Sequence, residues 1–278
     1  MRDLDINVFG VLWRLHCADP PAAALLSENF HELLTAGGHE PTSHIWIRPC
    51  PDEGQWLIET ESGSPVAAQD TYELVYLVEK IVTVNVQTQR SDLYFLHAAA
   101  LAYRGGAILL VAASGSGKST TAWALANRGF GYLSDELAPI DLDTLEVEPY
   151  PHALCLKARP PPPFDVPDGT IVTSRTLHVP TARVPMVIHR RVTLRAIFFN
   201  RFDRAAATPS VSALRPAECG ALLYSQALNP LAHHRDGLKA VATIAGRVAS
   251  YALTTCDLEA TCALIRQTLD ELLARPAQ

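Results

Sequence analysis

A glycine-rich segment near the middle of the chain has the residue types that bind a triphosphate. Residues 112–119 read AASGSGKS, and they depart from the pattern G-x-x-x-x-G-K-[ST] only at Ala112, which replaces the first glycine. Two glycines inside such a loop let backbone N–H groups approach phosphate oxygens closely. The predicted nucleotide-binding residues of this loop are Ser114, Gly115, Ser116, Gly117, Lys118, Ser119 and Thr120.

Two side chains of this loop have separate chemical tasks. Lys118 supplies a positive charge for the β and γ phosphates, and Ser119 supplies a hydroxyl ligand for Mg²⁺. An apolar strand at 107–112 precedes the loop, and an alanine-rich helix at about 118–128 follows it. The positive end of that helix points at the same phosphates. The sequence therefore predicts ATP and Mg²⁺ as the cofactors.

An acidic pair, Asp135 and Glu136, follows the next predicted strand, 130–134. The helix carries the chain about 16 Å away from the phosphates, and the strand returns it by about the same length. If this strand is parallel to the strand before the loop, both carboxylates reach the nucleotide edge of the sheet. One carboxylate could then bind the metal ion or orient its water, and the other could accept the proton of an attacking hydroxyl. In the leading mechanism Asp135 shares the metal ion with Ser119, and Glu136 (or Asp135) takes the proton. The alternative is an acidic helix cap or a solvated turn.

The composition excludes several classes of partner. The chain has 278 residues and a net charge of -6, which argues against a nucleic-acid or anionic-membrane surface. The longest uncharged apolar run near the centre, 107–113, is far too short to span a bilayer. The first 20 residues lack a signal-peptide pattern, and we expect a cytoplasmic protein. The six cysteines form no zinc pattern and are expected to be buried thiols.

The chain is expected to contain two domains. Residues 1–90 form a small α+β region, with strands at 44–47 and 55–59, a turn at 51–54 and a helix at 71–88. Residues 91–278 form an α/β catalytic domain that begins with a hairpin of strands 94–102 and 107–112. In this fold class a mixed sheet is flanked by helices. Four prolines make 159–164 a stiff loop.

The motifs together resemble one known family. The run LHAA at 96–99, the loop SGSGKS at 114–119, RGF at 128–130 and SDE at 134–136 are similar to the HPr kinase/phosphorylase family. They are more similar still to its branch of kinases that accompany ribosomal peptide clusters, including those of lasso peptides. The resemblance implies a P-loop kinase fold related to PEP carboxykinase and the phosphorylation of seryl side chains on a protein or peptide. It covers about residues 93–160, and residues 1–90 do not resemble the N-terminal domain of HPr kinases.

The resemblance also implies roles for individual residues. His97 matches the active-site histidine of the family, and Glu136 replaces the second aspartate of its acidic pair, the general base. Lys157 occupies the place of a metal-binding glutamate and would neutralise phosphate charge instead. Arg190, or its neighbour Arg191, matches an arginine-bearing loop that stabilises transferred charge. From the residues alone, a histidine such as His97 is more often a core residue on a strand, and the arginines fit a solvated basic turn equally well.

The predicted function is a kinase that transfers the γ-phosphoryl group of ATP to a hydroxyl, most simply a serine of a peptide or small protein. Residues 1–90 would help to dock that acceptor. A small-molecule kinase is one alternative. A nucleotide-dependent switch or ATPase without phosphoryl transfer is another, because Ala112 replaces the first glycine and the metal-binding glutamate is missing. A homo-oligomer is left open, since HPr kinases are hexamers.

Overall fold

A computed structural model describes residues 2–36, 38, 40–50, 55–113, 115–233 and 237–274. The predicted turn at 51–54 lies outside these ranges. The strands are β1 (Arg2–Val8), β2 (Val11–Cys17), β3 (Ser43–Pro49), β4 (Trp56–Thr60), β5 (Val66–Ala68), β6 (Leu93–Tyr103), β7 (Gly106–Val111), β8 (Gly131–Ser134), β9 (Leu137–Asp141), β10 (Glu146–Val147), β11 (Leu154–Leu156), β12 (Ile171–Val172), β13 (Leu177–Val179), β14 (Val192–Phe202), β15 (Ser210–Ala213) and β16 (Ala249–Thr255). The α-helices are α1 (Pro20–Asn29), α2 (Thr71–Gln89), α3 (Lys118–Ala126), α4 (Pro216–Tyr224), α5 (Leu238–Arg247) and α6 (Leu258–Ala274). The mixed α/β class predicted from the sequence is confirmed.

The chain divides into two compact units. Unit 1 comprises Met1–Arg90, Tyr150–Arg159 and Asp165–Arg183, and unit 2 comprises the remaining segments, Ser91–Pro149, Pro160–Phe164 and Val184–Gln278. The sequence predicts a single domain for residues 91–278. Unit 1 takes in two later segments of the chain, which carry the small sheet of β11, β12 and β13.

Unit 1 is built on a five-stranded sheet in the order β1-β2-β3-β4-β5. Its pairs are antiparallel except β2–β3, which is parallel. Helix α2 begins where the Asp70 carboxylate accepts a hydrogen bond from Glu73 N at 2.9 Å, a side-chain cap. The buried residues Val78, Val82 and Val86 recur every four positions, which gives α2 one apolar face for packing.

Unit 2 is built on an eight-stranded sheet whose main path runs β10-β9-β6-β7-β14-β16-β15. β7 is antiparallel to β6 and parallel to β14, and β14 is parallel to β16. Arg104 and Gly105 both have positive φ, 46° and 80°, as required by the tight turn that joins β6 to β7. β8 lies beside the second half of β6, and β9 beside its first half.

Each face of the unit 2 sheet carries a pair of helices. Leu109, Val111 and Ile197 point to one face and share a core with buried residues of α4 and α5. α3 contacts β6, β7 and α6, and it lies on the opposite face. Since side chains alternate along a strand, the residues between the core positions, such as Leu110 and Phe198, point toward α3.

Two expectations from composition can be compared with the fold. Within the described ranges, no helix combines the length and the apolar character needed to cross a bilayer. The six cysteines are all free thiols, but only Cys17, Cys219 and Cys262 are buried. Cys50 and Cys256, like Cys155, are half-buried, so the expectation of six buried thiols is wrong for half of them.

Candidate nucleotide site

The glycine-rich loop has a backbone that only glycine adopts without strain. Gly115 has a φ of 85° and Gly117 a φ of 81°, both in the left-handed region. An ideal Cβ placed on either residue meets no atom within 4 Å, so the space above the loop is open. Ala112 is buried and is not among the described residues with positive φ, which explains why alanine is tolerated there. Ser114 lies outside the described residues.

Helix α3 begins at Lys118 directly after the loop. Its N-cap is Gly117, which offers no side-chain hydrogen bond to the first turn. The first N–H groups of a helix carry a partial positive charge and bind anions. Lys118 is only 9% exposed, while Ser119 and Thr120 are half-buried. Open space, an uncapped helix start and a buried ammonium fit a phosphate group.

The pairing of β6 brings the acidic residues to this edge of the sheet. β7 and β8 are both antiparallel to β6, so they run in the same direction and end at the same edge. Ala98 of β6 pairs with Val111, the last residue before the loop. The N–H group of Ala98 also donates a hydrogen bond to the carbonyl oxygen of Glu136 at 3.2 Å. One residue of β6 therefore contacts both the strand end before the loop and the acidic pair.

The bend that carries the acidic pair is held by Ser134. Its hydroxyl oxygen accepts hydrogen bonds from Glu136 N at 3.3 Å and from Leu137 N at 3.1 Å. Ser134 is completely buried, and a buried hydroxyl that caps two backbone N–H groups stabilises a turn. In the sequence, a serine before two acids at a strand end is a turn signal, but it does not by itself identify this hydroxyl as the cap.

The two carboxylates differ in accessibility. Asp135 is 1% exposed, and its Oδ1 accepts a hydrogen bond from the Tyr132 hydroxyl at 2.9 Å. Glu136 is exposed. A fixed, buried carboxylate suits a metal ligand or an orienting group, whereas a proton acceptor must be reached by its substrate. No pattern in the sequence identifies Tyr132, because its hydroxyl reaches the Asp135 carboxylate only through the bend that follows β8.

His97 also lies at this edge. It is half-buried on β6, directly before Ala98, and its backbone N–H donates to the Gln226 carbonyl oxygen at 2.9 Å. Leu96 and Ala98 belong to the core shared with α4 and α5. His97 therefore points to the opposite face, toward α3.

The structure does not bring Arg190 to the phosphate loop. β14 is parallel to β7, and Leu194 near its start pairs with Ala107 at the start of β7. Arg190 precedes β14, at the sheet edge opposite the loop, and it is exposed. Its neighbour Arg191 forms ion pairs with Glu148 at 2.9 Å and with Asp141 at 3.5 Å. β7 has six residues, so the two edges of the sheet are about 20 Å apart along this strand.

Lys157 is exposed directly after β11, in unit 1, whereas the loop belongs to unit 2. The proposed role of Lys157 at the phosphates stays a prediction.

The proline-rich segment is attached to α3. Phe164 is buried, and its carbonyl oxygen accepts a hydrogen bond from Trp123 Nε1 at 2.8 Å. The guanidinium of Arg128 lies 4.6 Å from the centroid of the Phe164 ring, within the range of a cation–π contact. The expected stiff loop is thus fixed at its end to the helix that follows the phosphate loop.

Unit 1 contains a separate cavity of about 480 Å³ between α2 and its sheet. Leu77, Ile81 and Val84 of α2 form its apolar wall, and Trp13 of β2 lies on the sheet side. Trp13 is 2% exposed, and its Nε1 has no hydrogen-bond partner in the described part of the chain. The volume lies in the range of small-ligand pockets.

The residues present fit MgATP. Among the described residues no group of three or more His, Cys, Asp or Glu side chains forms a metal site. Nucleotide-bound Mg²⁺ needs few protein ligands, since water and phosphate oxygens complete its shell. Ser119 and Asp135 are the residues that could hold it, and the open space over Gly115 and Gly117 could admit the phosphates.

No protein-family model matches this chain, and no curated protein matches its sequence. Among solved structures, it is similar to the Hpr(Ser) kinase/phosphatase from Coxiella burnetii, with a TM-score of 0.34 and 11% identity over 65% of this chain and 99% of that chain. A similarity this weak carries no argument about function, which has to come from the site itself.

Proposed function

We propose that this chain is an ATP- and Mg²⁺-dependent kinase that transfers the γ-phosphoryl group to a hydroxyl, that of a serine in a peptide or small protein. The observation that carries the proposal is the double contact of Ala98, which pairs with Val111 before the loop and binds the backbone of Glu136. A phosphate-binding loop and a carboxylate pair at one sheet edge are the two parts that phosphoryl transfer requires. The sequence resemblance to the HPr kinase/phosphorylase family supports the same reaction.

Each residue of this edge has a task in the proposed reaction. The loop N–H groups and Lys118 hold the phosphate oxygens and balance the charge that develops on them. The exposed carboxylate of Glu136 accepts the proton of the acceptor hydroxyl. Asp135, oriented by Tyr132, would hold Mg²⁺ together with Ser119. When bound, the ion neutralises phosphate charge.

The acceptor is proposed to dock on unit 1. The cavity between α2 and the sheet has an apolar wall, and its lining includes Trp13, whose buried Nε1 has no hydrogen-bond partner among the described residues. A peptide segment with an apolar side chain next to a backbone carbonyl group would match these two features. A Trp13→Phe variant keeps an aromatic, though smaller, side chain and removes the donor. It should raise the KM for the acceptor peptide and leave the KM for MgATP unchanged.

The decisive experiment incubates the protein with γ-labelled ATP, Mg²⁺ and serine-containing peptides, including those encoded beside its gene, and measures intact masses. The proposal predicts one added phosphate per peptide, lost in Lys118→Ala and strongly reduced in Glu136→Gln. Transfer that survives both Glu136→Gln and Asp135→Asn would remove the proposed base and metal ligand. Label on small alcohols alone would favour a small-molecule kinase, and nucleotide binding without any transfer would favour a switch or ATPase.

A further inference from the structure

A buried carboxamide near the end of β14 lacks hydrogen bonds. Asn200 is 6% exposed, and both its Oδ1 and its Nδ2 are without a partner in the described residues. Buried polar side chains are nearly always paired, since leaving them unpaired opposes folding. Two unpaired polar atoms on one buried side chain call for a partner that the described residues do not supply.

A second buried asparagine of unit 2 shows the contrast. Asn229 accepts a hydrogen bond from Phe95 N at 2.9 Å through Oδ1, and its Nδ2 donates to the Leu93 carbonyl oxygen at 2.9 Å. Its carboxamide is satisfied by the backbone of β6, which is the behaviour of a structural residue. Asn200, with the same chemistry and similar burial, has no such role.

The strand pairing places Asn200 beside the phosphate loop. Phe199 pairs with Val111, the last residue of β7, so Asn200 lies next to Ala112, where the loop begins. On the other side of β7, Ala98 pairs with Val111 in the antiparallel sense, so His97 lies next to Ala112 as well. Asn200 and His97 therefore flank the first residue of the loop.

The direction of the side chain follows from the alternation along β14. Ile197 belongs to the core with α4 and α5, and Phe199 packs against it. Asn200 points to the opposite face, where α3 begins at Lys118 and its N-cap Gly117 provides no side chain. The unpaired carboxamide thus lies on the side of the sheet where the open space over the loop and the positive helix end are found.

We propose that Asn200 binds a phosphate group of the nucleotide directly. A carboxamide has two N–H donors on Nδ2 and an acceptor oxygen, whereas phosphate oxygens only accept hydrogen bonds. Nδ2 therefore donates to the phosphate, and Oδ1 remains to accept from water or from a hydroxyl group. This inference rests on the proposed nucleotide site, and it adds a ligand contact from β14 that the loop motif does not contain.

The test uses two substitutions of Asn200 and one matched control. Asn200→Leu replaces the carboxamide by an apolar group of similar size, and Asn200→Asp keeps the shape but can no longer donate. Asn229→Leu removes a carboxamide of the same burial that serves the fold. For each variant, isothermal titration calorimetry gives the Kd for MgATP, thermal unfolding of the free protein gives the Tm, and labelled ATP measures transfer.

We expect Asn200→Leu to bind MgATP at least about 10-fold more weakly, since a hydrogen bond to a charged group is stronger than one between neutral groups. Asn200→Asp should bind more weakly still, because it adds a negative charge beside the phosphates. The Tm of free Asn200→Leu should equal or exceed that of the wild type, because an unpaired polar group has been removed. Asn229→Leu should lower the Tm by several degrees and keep the wild-type Kd.

Three outcomes would overturn the inference. The first is an Asn200→Leu or Asn200→Asp variant with the wild-type Kd. The second is a fall in Tm of Asn200→Leu as large as that of Asn229→Leu, which would make Asn200 structural. The third is a wild type that binds no MgATP, which would remove the nucleotide site as well. A wild type that binds MgATP but transfers nothing would refute only the kinase proposal, and the Kd values would still decide the role of Asn200.

Discussion

Alanine substitutions of the glycines at the two ends of α3 can distinguish an effect on phosphate binding from an effect on stability. Gly117 and Gly129 flank the helix with φ values of 81° and 88°. At both positions an added Cβ meets no atom within 4 Å. The change to alanine is therefore the same local perturbation at both ends, a methyl group in open space on a left-handed residue.

The effect on stability can be worked out from the backbone. A non-glycine residue in the left-handed region costs about 1–2 kcal/mol, and the loss of glycine's freedom in the unfolded chain offsets about 0.4–1 kcal/mol of that. Each variant should lose about 1 kcal/mol of unfolding free energy. For a protein of this size that lowers the Tm by about 2–4 °C.

The effect on binding should differ between the two variants. The Cβ of Gly117→Ala enters the space where the phosphates are proposed to lie, and the Kd for MgATP should rise at least about 10-fold, which is about 1.4 kcal/mol. Gly129→Ala lies at the far end of α3 and should keep the wild-type Kd. Calorimetric titration with MgATP and thermal unfolding of the free proteins measure both quantities. Equal affinities for the two variants, at equal losses of Tm, would refute a phosphate site over Gly117.

Three further predictions concern buried groups. Burial alone would raise the pKa of Glu79, but the His152 ring 3.3 Å away, with His178 and Asn29, outweighs it and lowers that pKa. Because the folded pKa is lowered, the ionised Glu79 carboxylate stabilises the fold above the ordinary carboxylate pKa, and this contribution is lost as the pH falls through the lowered folded value. Glu79→Gln should lower the free energy of unfolding, measured with urea at pH 7, by about 3 kcal/mol and should remove this acid dependence. A loss below about 1 kcal/mol would contradict the pairing. Trp123→Phe removes the 2.8 Å hydrogen bond to the Phe164 carbonyl oxygen. The free energy of unfolding, measured in the same way, should fall by about 1–3 kcal/mol. An unchanged urea midpoint would show that the bond contributes nothing. Burial raises the pKa of the Cys262 thiol to about 12 and that of the Cys17 thiol to about 11. Iodoacetamide at pH 8 should therefore leave both thiols unlabelled in the native protein, as peptide mass mapping can check. Rapid labelling of either thiol would contradict its burial.

Local signals in the sequence were sufficient for the parts of the site that are contiguous in the chain. The loop pattern predicts the positive φ of Gly115 and Gly117 and the start of α3 at Lys118, because these properties depend on neighbouring residues. The lengths of α3 and β8 predict that Asp135 returns to the same edge, because rise per residue is a property of each element. The direction of β8 had to be assumed.

Only the tertiary structure decided which distant residues join this edge. Ala98 links β7 to the acidic bend, and Asn200 reaches the loop because β14 pairs with β7. A polar residue at the end of an apolar strand was visible in the sequence, but the neighbour of that strand was not. The same pairing moves Arg190 to the opposite edge. Strand order depends on contacts between segments far apart in the chain, and no local pattern of residue types determines them.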